Sequence, residues 1–161
     1  MERTDSAAIA ESEIRSQFEA QPWAYDEYRL SHIFIAAQTM GSKTRPKTPR
    51  SESQALTLAR MLKRKLDAGA DFANLARTTS DDAATAPLGG ALSSIFGLYL
   101  ADEFVVAVRT LAVGEVSKPT RGPHGYHLIK LEEKHAATLE TARVLVELHM
   151  RGEALPRSPA D

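Results

Sequence analysis

The chain has 161 residues, 43% of them hydrophobic, which is enough to fill one core and predicts a single domain with terminal extensions. Twenty Lys and Arg against 21 Asp and Glu leave a formal charge of -1, so no global field draws the chain to nucleic acid or to an anionic membrane. The absence of cysteine excludes disulfides, thiolate metal sites and a cysteine nucleophile, and is compatible with an oxidising compartment. No apolar stretch is long enough to enter a bilayer, and Met1-Glu2-Arg3-Thr4-Asp5 does not open a signal peptide, so a soluble chain is expected.

Residues 6–21 mix Ala7, Ile9, Ile14 and Phe18 with charges before Pro22, which predicts a short amphipathic helix. Tyr28 to Ala36 is rich in aromatic and β-branched residues and predicts a strand with His32 on the face of Leu30 and Phe34. Ala37 to Pro49 has no apolar period and reads as a long loop carrying Lys43, Arg45 and Lys47, with Arg50 at its end. Ser51-x-x-Gln54 fits a capping box for a helix bearing Ala55, Leu58, Leu62 and Leu66, which Gly69 stops. Asp71 caps a second helix burying Phe72, Leu75 and Ala76, and Ser80-Asp81-Asp82 begins a polar turn towards Gly89-Gly90 and the apolar segment Leu92 to Phe96. Asp102 is expected to cap a third helix presenting Phe104, Ala107, Val108 and Leu111. Glu115 to Pro119 reads as a brief strand and Thr120 to Gly125 as a turn. Gly125 to Leu131 is a clear strand with His127, Ile129 and Leu131 on one face, and Thr138 to Arg151 closes the chain as an amphipathic helix before a disordered Pro-rich tail. The pattern is α+β with a small sheet.

Several short motifs lead nowhere. Gly41-Ser42-Lys43-Thr44 lacks the preceding glycine and following helix of a phosphate-binding loop. His124 and His127 fall on opposite faces of an extended strand and have no carboxylate cluster to complete a metal site. Ser93 and Ser94 lack the strained elbow of an activated nucleophile, which also argues against hydrolysis by a His32, Asp82 and His127 set.

A series of signatures remains, in one order: Ser31-His32-Ile33-Phe34-Ile35; Gly69-Ala70-Asp71-Phe72-Ala73-Asn74-Leu75-Ala76; Ser80-Asp81-Asp82; Gly89-Gly90-Ala91-Leu92; Glu103-Phe104; Leu111 with Gly114-Glu115-Val116-Ser117-Lys118-Pro119; and Gly125-Tyr126-His127-Leu128-Ile129-Lys130-Leu131. Together they resemble the parvulin (rotamase, PpiC-like) family of peptidyl-prolyl cis/trans isomerases. The resemblance implies a four-stranded antiparallel sheet wrapped by helices, with extra terminal helices. It divides the chain into an N-terminal extension over 1–27, an isomerase domain over 28–133 and a C-terminal helix and tail over 134–161. It implies paired histidines, His32 and His127, at the sheet centre, Asp82 facing the substrate carbonyl, and Leu92, Leu100 and Phe104 as walls for the proline ring. No cofactor or metal is implied. Rotation about a peptide bond breaks no covalent bond, so a site that grips the ring and favours the twisted amide suffices against a barrier of roughly 18–20 kcal/mol.

Lys43, Arg45 and Lys47 stand where some parvulins hold basic residues that select acidic or phosphorylated residues before proline. The chain departs from the family pattern at Ala91 and Ser93, where an acidic residue and a glycine are usual, at Arg109, where an aromatic is usual, and at Gly122 and His124, where a hydroxyl residue and an aromatic are usual. Thr120 or His124 is the candidate substitute for the hydroxyl. Two readings follow: an isomerase acting on unfolded or extended Pro-containing polypeptides, and a parvulin-like chaperone that holds such segments with little catalysis. The flanking helices look like those of bacterial envelope foldases, which suggests the periplasm, with the cytoplasm as the alternative. They also suggest that the two terminal helices pack together or against a second copy as a homodimer.

Overall fold

The computed structural model describes residues 8–38 and 49–155. Lys43, Arg45, Lys47 and the tail from residue 156 lie outside the described residues. Five α-helices and a four-stranded antiparallel sheet are described. Helix α1 (Glu11–Ala20) is shorter than the expected span and ends before Pro22, which opens a single 3-10 turn over Pro22–Ala24. Strand β1 (Glu27–Ala36) follows, then α2 (Glu52–Asp67) and α3 (Phe72–Thr79), strand β2 (Ile95–Phe96) and α4 (Asp102–Thr110). Strands β3 (Thr120–Gly122) and β4 (Gly125–His135) form a hairpin, and α5 (Leu139–Arg151) closes the order.

The helix signals act as their chemistry dictates. Gln54 N donates to Ser51 Oγ at 3.2 Å and Ser51 N to Gln54 Oε1 at 2.8 Å, completing the capping box of α2. Helix α2 ends in a Schellman turn, with Gly69 N donating to Leu66 O and Ala70 N to Lys65 O, both at 3.0 Å. Asp71 caps α3 by accepting from Asn74 N at 3.0 Å. At α4 the expectation fails, because Ala101 occupies the cap position without a side-chain bond and Asp102 lies inside the first turn, where its charge complements the helix dipole.

The sheet order is β2-β1-β4-β3. Its two faces bury different partners. Ile33, Ile35, Tyr126 and Leu128 pack with Ala55, Ala59 and Leu62 of α2 and Phe72 and Ala76 of α3. Tyr28, Leu30, Ile129 and Leu131 pack with Ala107 and Val108 of α4, edged by Leu92, Leu100, Phe104 and Leu111. Each fully buried Leu or Ile here contributes roughly 1.5–3 kcal/mol. A third cluster joins Ile14 of α1 to Ala142, Leu145 and Val146 of α5 through Ala24 and Tyr25, so the terminal helices pack together within the chain. Asp26 is the joint between this lobe and the sheet: its Oδ1 accepts from Ala137 N at 2.8 Å, and its backbone oxygen accepts from Gly97 N at 3.0 Å.

Two strand boundaries differ from expectation. Strand β4 runs on to His135, because β1 begins at Glu27 and pairs with it through charged residues such as Arg29 opposite Glu133, which carry no hydrophobic signal. Glu115 to Pro119 forms no regular strand; Ser117 N bonds Ile129 O at 2.7 Å and Ser117 Oγ accepts from Ile129 N at 3.0 Å, and the strand proper is Thr120–Gly122, after the N–H-free Pro119.

Strand β2 covers only Glu27 and Tyr28, so the outer edge of β1 is completed by loops. Leu30 O accepts from Leu92 N at 3.0 Å, His32 N donates to Gly90 O at 2.9 Å, and Phe34 N donates to Ser80 Oγ at 3.1 Å. Phe34 O accepts from Asp81 N at 2.7 Å, Ala36 N donates to Asp81 Oδ2 at 2.9 Å, and Ala36 O accepts from Arg50 at 3.0 Å. Arg50 also pairs with Asp81 Oδ2 at 2.5 Å, and the Asp81 side chain is fully buried. Removing that carboxylate strands both a backbone N–H and a guanidinium. Asp81→Ala is therefore expected to lower the unfolding free energy by about 3 kcal/mol or more, measured by urea unfolding.

Candidate active site

The register of β1 on β4 sets His32 opposite Ile129 and Phe34 opposite His127, which makes the two histidines diagonal neighbours on one face. Their rings lie nearly parallel with centroids 5.4 Å apart, and His32 Nδ1 is 3.2 Å from His127 Nδ1. Phe34 stacks on His127 at 4.9 Å, and Phe104 of α4 stands 5.8 Å from the His32 ring and 5.4 Å from that of His127. Leu92, Leu100 and Phe104 are half-buried at the edge of the cluster around Leu30 and Ile129, so each keeps some accessible apolar surface.

The turn after α3 brings Asp82 to the other side of His32, with Oδ2 2.7 Å from His32 Nε2. Thr85 Oγ1 donates to the same oxygen at 2.6 Å, and Ala84 N donates to Oδ1 at 3.1 Å. Burial opposes the charge on Asp82, but the hydrogen bonds from Thr85 and His32, the charge of His32 and the Ala84 amide prevail and hold its carboxyl below the usual range. Asp82 is thus an anion that only accepts, which requires His32 Nε2 to carry a proton. One of the two facing Nδ1 atoms carries the proton between the rings. Burial, and then the neighbouring His32, push His127 down to about 4, against a weaker pull upwards from Asp82, so His127 is neutral at physiological pH. Among the described residues no group of three or more His, Cys, Asp or Glu is placed to hold a metal ion.

The departures from the family pattern have physical outcomes. The turn through Ala91 survives: Gly89 and Gly90 both take positive φ, and a Cβ on Gly90 would stand 2.3 Å from His32 O. Arg109 is exposed and lies over the Trp23 ring, 5.5 Å from its centroid, so its charge turns away from the histidines. Gly122 lets the His127 ring pack directly against the β3 backbone, since a Cβ there would come within 2.9 Å of His127 Nε2, closer than such atoms can stand. Thr120 does not replace the missing hydroxyl; its Oγ1 donates to Lys118 O at 3.0 Å. Thr85 and Phe34 also belong to the cluster. For Thr85 the readable signal is its spacing three residues after Asp82, and for Phe34 its alternation with His32.

A family model described as rotamase, PPIC-type PPIase domain, matches residues 32–133. The chain belongs to this family. Chaperone SurA of Chromohalobacter salexigens is 34% identical over 152 residues, covering 94% of this chain and 33% of its own length. Foldase protein PrsA 4 of Bacillus cereus is 41% identical over 133 residues, covering 83% of this chain and 39% of its own length. The chain therefore spans about a third of the length of these curated relatives. A crystal structure of a PpiC-type peptidyl-prolyl cis-trans isomerase domain superposes with a TM-score of 0.60 at 25% identity, covering 72% of this chain and 97% of that one. The peptidylprolyl isomerase PrsA of Bacillus cereus gives a TM-score of 0.66 at 26% identity, covering 89% of this chain and 47% of that one.

The buried histidine gives this PPIC-type domain a defined pH response. Folded His127 binds a proton more weakly than the unfolded chain, so its contribution to stability is complete above the ordinary histidine value of 6.5 and is lost as pH falls towards about 4. The contribution of Asp82 is lost only at lower pH, below the ordinary carboxylate value of 3.8. Urea unfolding between pH 7 and 4 is expected to show a decline on the order of 2–3 kcal/mol, and His127→Gln is expected to flatten it.

Proposed function

We propose that this chain is a peptidyl-prolyl cis/trans isomerase acting on extended Pro-containing segments of unfolded polypeptides. The observation that carries the reading is the juxtaposition of an anionic Asp82, 2.7 Å from His32, with Phe104 packed against both histidine rings. Leu92, Leu100 and Phe104 hold the proline ring by apolar contact, while the preceding carbonyl swings past Asp82. A planar amide owes its stiffness to resonance that places negative charge on oxygen and positive charge on nitrogen, and twisting removes both. A fixed carboxylate beside that oxygen disfavours the planar form more than the twisted one, which lowers the barrier by differential binding. His32 holds Asp82 in place, and His127 holds His32. No nucleophile, metal or cofactor enters the step.

The names of the relatives support the client class, and their likeness together with the absence of cysteine supports an envelope address. A second reading, a chaperone that holds proline segments with little turnover, is favoured by Gly122, which leaves His127 Nε2 without the hydroxyl usual in the family.

Exchange spectroscopy on a short Ala-Pro peptide separates the two. The wild-type chain is expected to raise the exchange rate, and Asp82→Ala to reduce that enhancement by roughly tenfold or more, equivalent to about 1.4 kcal/mol. Binding without acceleration selects the chaperone reading; acceleration unaffected by Asp82→Ala removes Asp82 from the mechanism.

A further inference from the structure

Helix α4 and the single 3-10 turn before it, Gly97–Tyr99, form one unit, since Leu100 N donates to Gly97 O at 3.1 Å and Phe104 N to Ala101 O at 2.9 Å. This unit carries Leu100 and Phe104, two of the three residues placed around the proline ring above. Local structure does little to fix it. Helix α4 has only 9 residues, and its first turn, which holds Phe104, receives no side-chain cap. Ala107 and Val108 dock its inner face on the sheet, but the two ends of the unit are set by contacts elsewhere.

Trp23 supplies a contact at each end. At the start, a Cβ on Gly97 would stand 2.2 Å from Trp23 O and 3.1 Å from the ring atom Cε3, so the chain passes directly against Trp23 with no room for a side chain. At the end, the Arg109 guanidinium lies over the ring, 5.5 Å from its centroid. A third link runs through Tyr28, whose hydroxyl donates to Trp23 O at 3.2 Å and whose fully buried ring packs with Ala107 and Val108. Trp23 itself packs on the cluster of Ile14, Tyr25 and Leu145 that joins the terminal helices, and it lies outside the residues 32–133 that the family model matches. One side chain of the terminal lobe thus meets the unit at its first residue and again next to its last.

We propose that Trp23 is a positioning residue for isomerisation: by clamping Gly97 and Arg109 it sets where Leu100 and Phe104 stand relative to the histidine pair. This role rests on the isomerase reading given above, and it makes the proline pocket depend on the terminal lobe. Apolar contact with the proline ring is the same whether the preceding amide is planar or twisted, so a displaced wall weakens both states alike. The signature of the clamp is therefore a raised KM with kcat little changed, whereas loss of Asp82, which faces the swinging carbonyl, acts on kcat.

The test follows exchange of a short Ala-Pro peptide over a range of concentrations, with the full chain and its variants. Arg109→Ala, at an exposed position, is expected to raise KM roughly two- to fivefold with kcat within about twofold, the size of a cation–π contact at a surface. Trp23→Leu, which removes the ring from both contacts, is expected to raise KM at least as much, and Trp23→Phe, which restores an aromatic face, to return it to within about twofold of wild type. Phe18→Leu is the structural control. Phe18 stacks on Tyr25 in the same lobe with ring centroids 5.9 Å apart, so its loss loosens the lobe and is expected to leave KM unchanged. Trp23 is the only tryptophan of the chain, so its emission reports on the clamp directly. Saturating peptide is expected to shift that emission in the wild type, and to shift it less in Arg109→Ala. KM unchanged in Arg109→Ala and Trp23→Leu, a fall in kcat in place of the rise in KM, an equal rise in Phe18→Leu, or emission that does not respond to bound peptide overturns the clamp. If the peptide binds and is not isomerised, the isomerase reading fails by itself, and chemical-shift titration decides the clamp: weaker binding in Arg109→Ala and Trp23→Leu supports it, and equal binding overturns it. A peptide that neither binds nor turns over overturns both.

Discussion

Everything in this domain depends on how the outer edge of β1 is satisfied. Leu30, His32, Phe34 and Ala36 turn their peptide groups towards an edge that β2 is too short to cover, and a buried edge left unpaired costs several kcal/mol in lost hydrogen bonds. The chain meets that need with the Gly90 to Leu92 segment, with Ser80 and Asp81, and with Arg50. These same residues point their side chains, Leu30, His32 and Phe34 above all, to the face where the site lies. The loops that seal the backbone therefore also deliver Asp82 and Thr85 to His32. Gly90 is the tightest point of the arrangement, since any side chain there collides with the His32 carbonyl.

The site that results is a chain of ordered polar groups set in apolar walls. Thr85 and His32 converge on one oxygen of Asp82, His32 meets His127, and the aromatic rings of Phe34 and Phe104 close the sides. Such a network has a high cost if half satisfied and is rigid when complete. At the far end of the network the His127 ring packs against Gly122, where a Cβ would come within 2.9 Å of Nε2.

The terminal helices form a second, smaller unit. Helices α1 and α5 bury Ile14, Leu145 and Val146 against each other, and Asp26 fastens this lobe to both the β2 edge and the start of α5. The relative named as a chaperone aligns over 94% of the chain, beyond the isomerase-like core and across these helices, while the chain covers 33% of its length. The lobe is thus part of what this chain shares with that relative, beyond the domain that the family model defines.

Much of this was legible in the residues. Alternation placed His32 with Leu30 and Phe34, and His127 with Ile129 and Leu131; Ser51, Asp71 and Gly69 marked helix ends because capping is local chemistry; and the ordered signatures pointed to the family. What sequence could not decide is non-local. Strand β4 extends through charged residues because its length follows from its partner, and Asp102 yields the cap position to Ala101. Arg109 spares the site because Trp23, 86 positions earlier in the chain by the numbering, lies where its guanidinium can stack. That the histidines meet at Nδ1, that Asp82 is held ionised, and that the His127 ring packs against Gly122 all follow from register and packing between distant segments. Local propensity and spacing determine which residues are available and which face they take; only the tertiary structure determines which of them touch, because hydrogen bonds and burial act through space without regard to order along the chain.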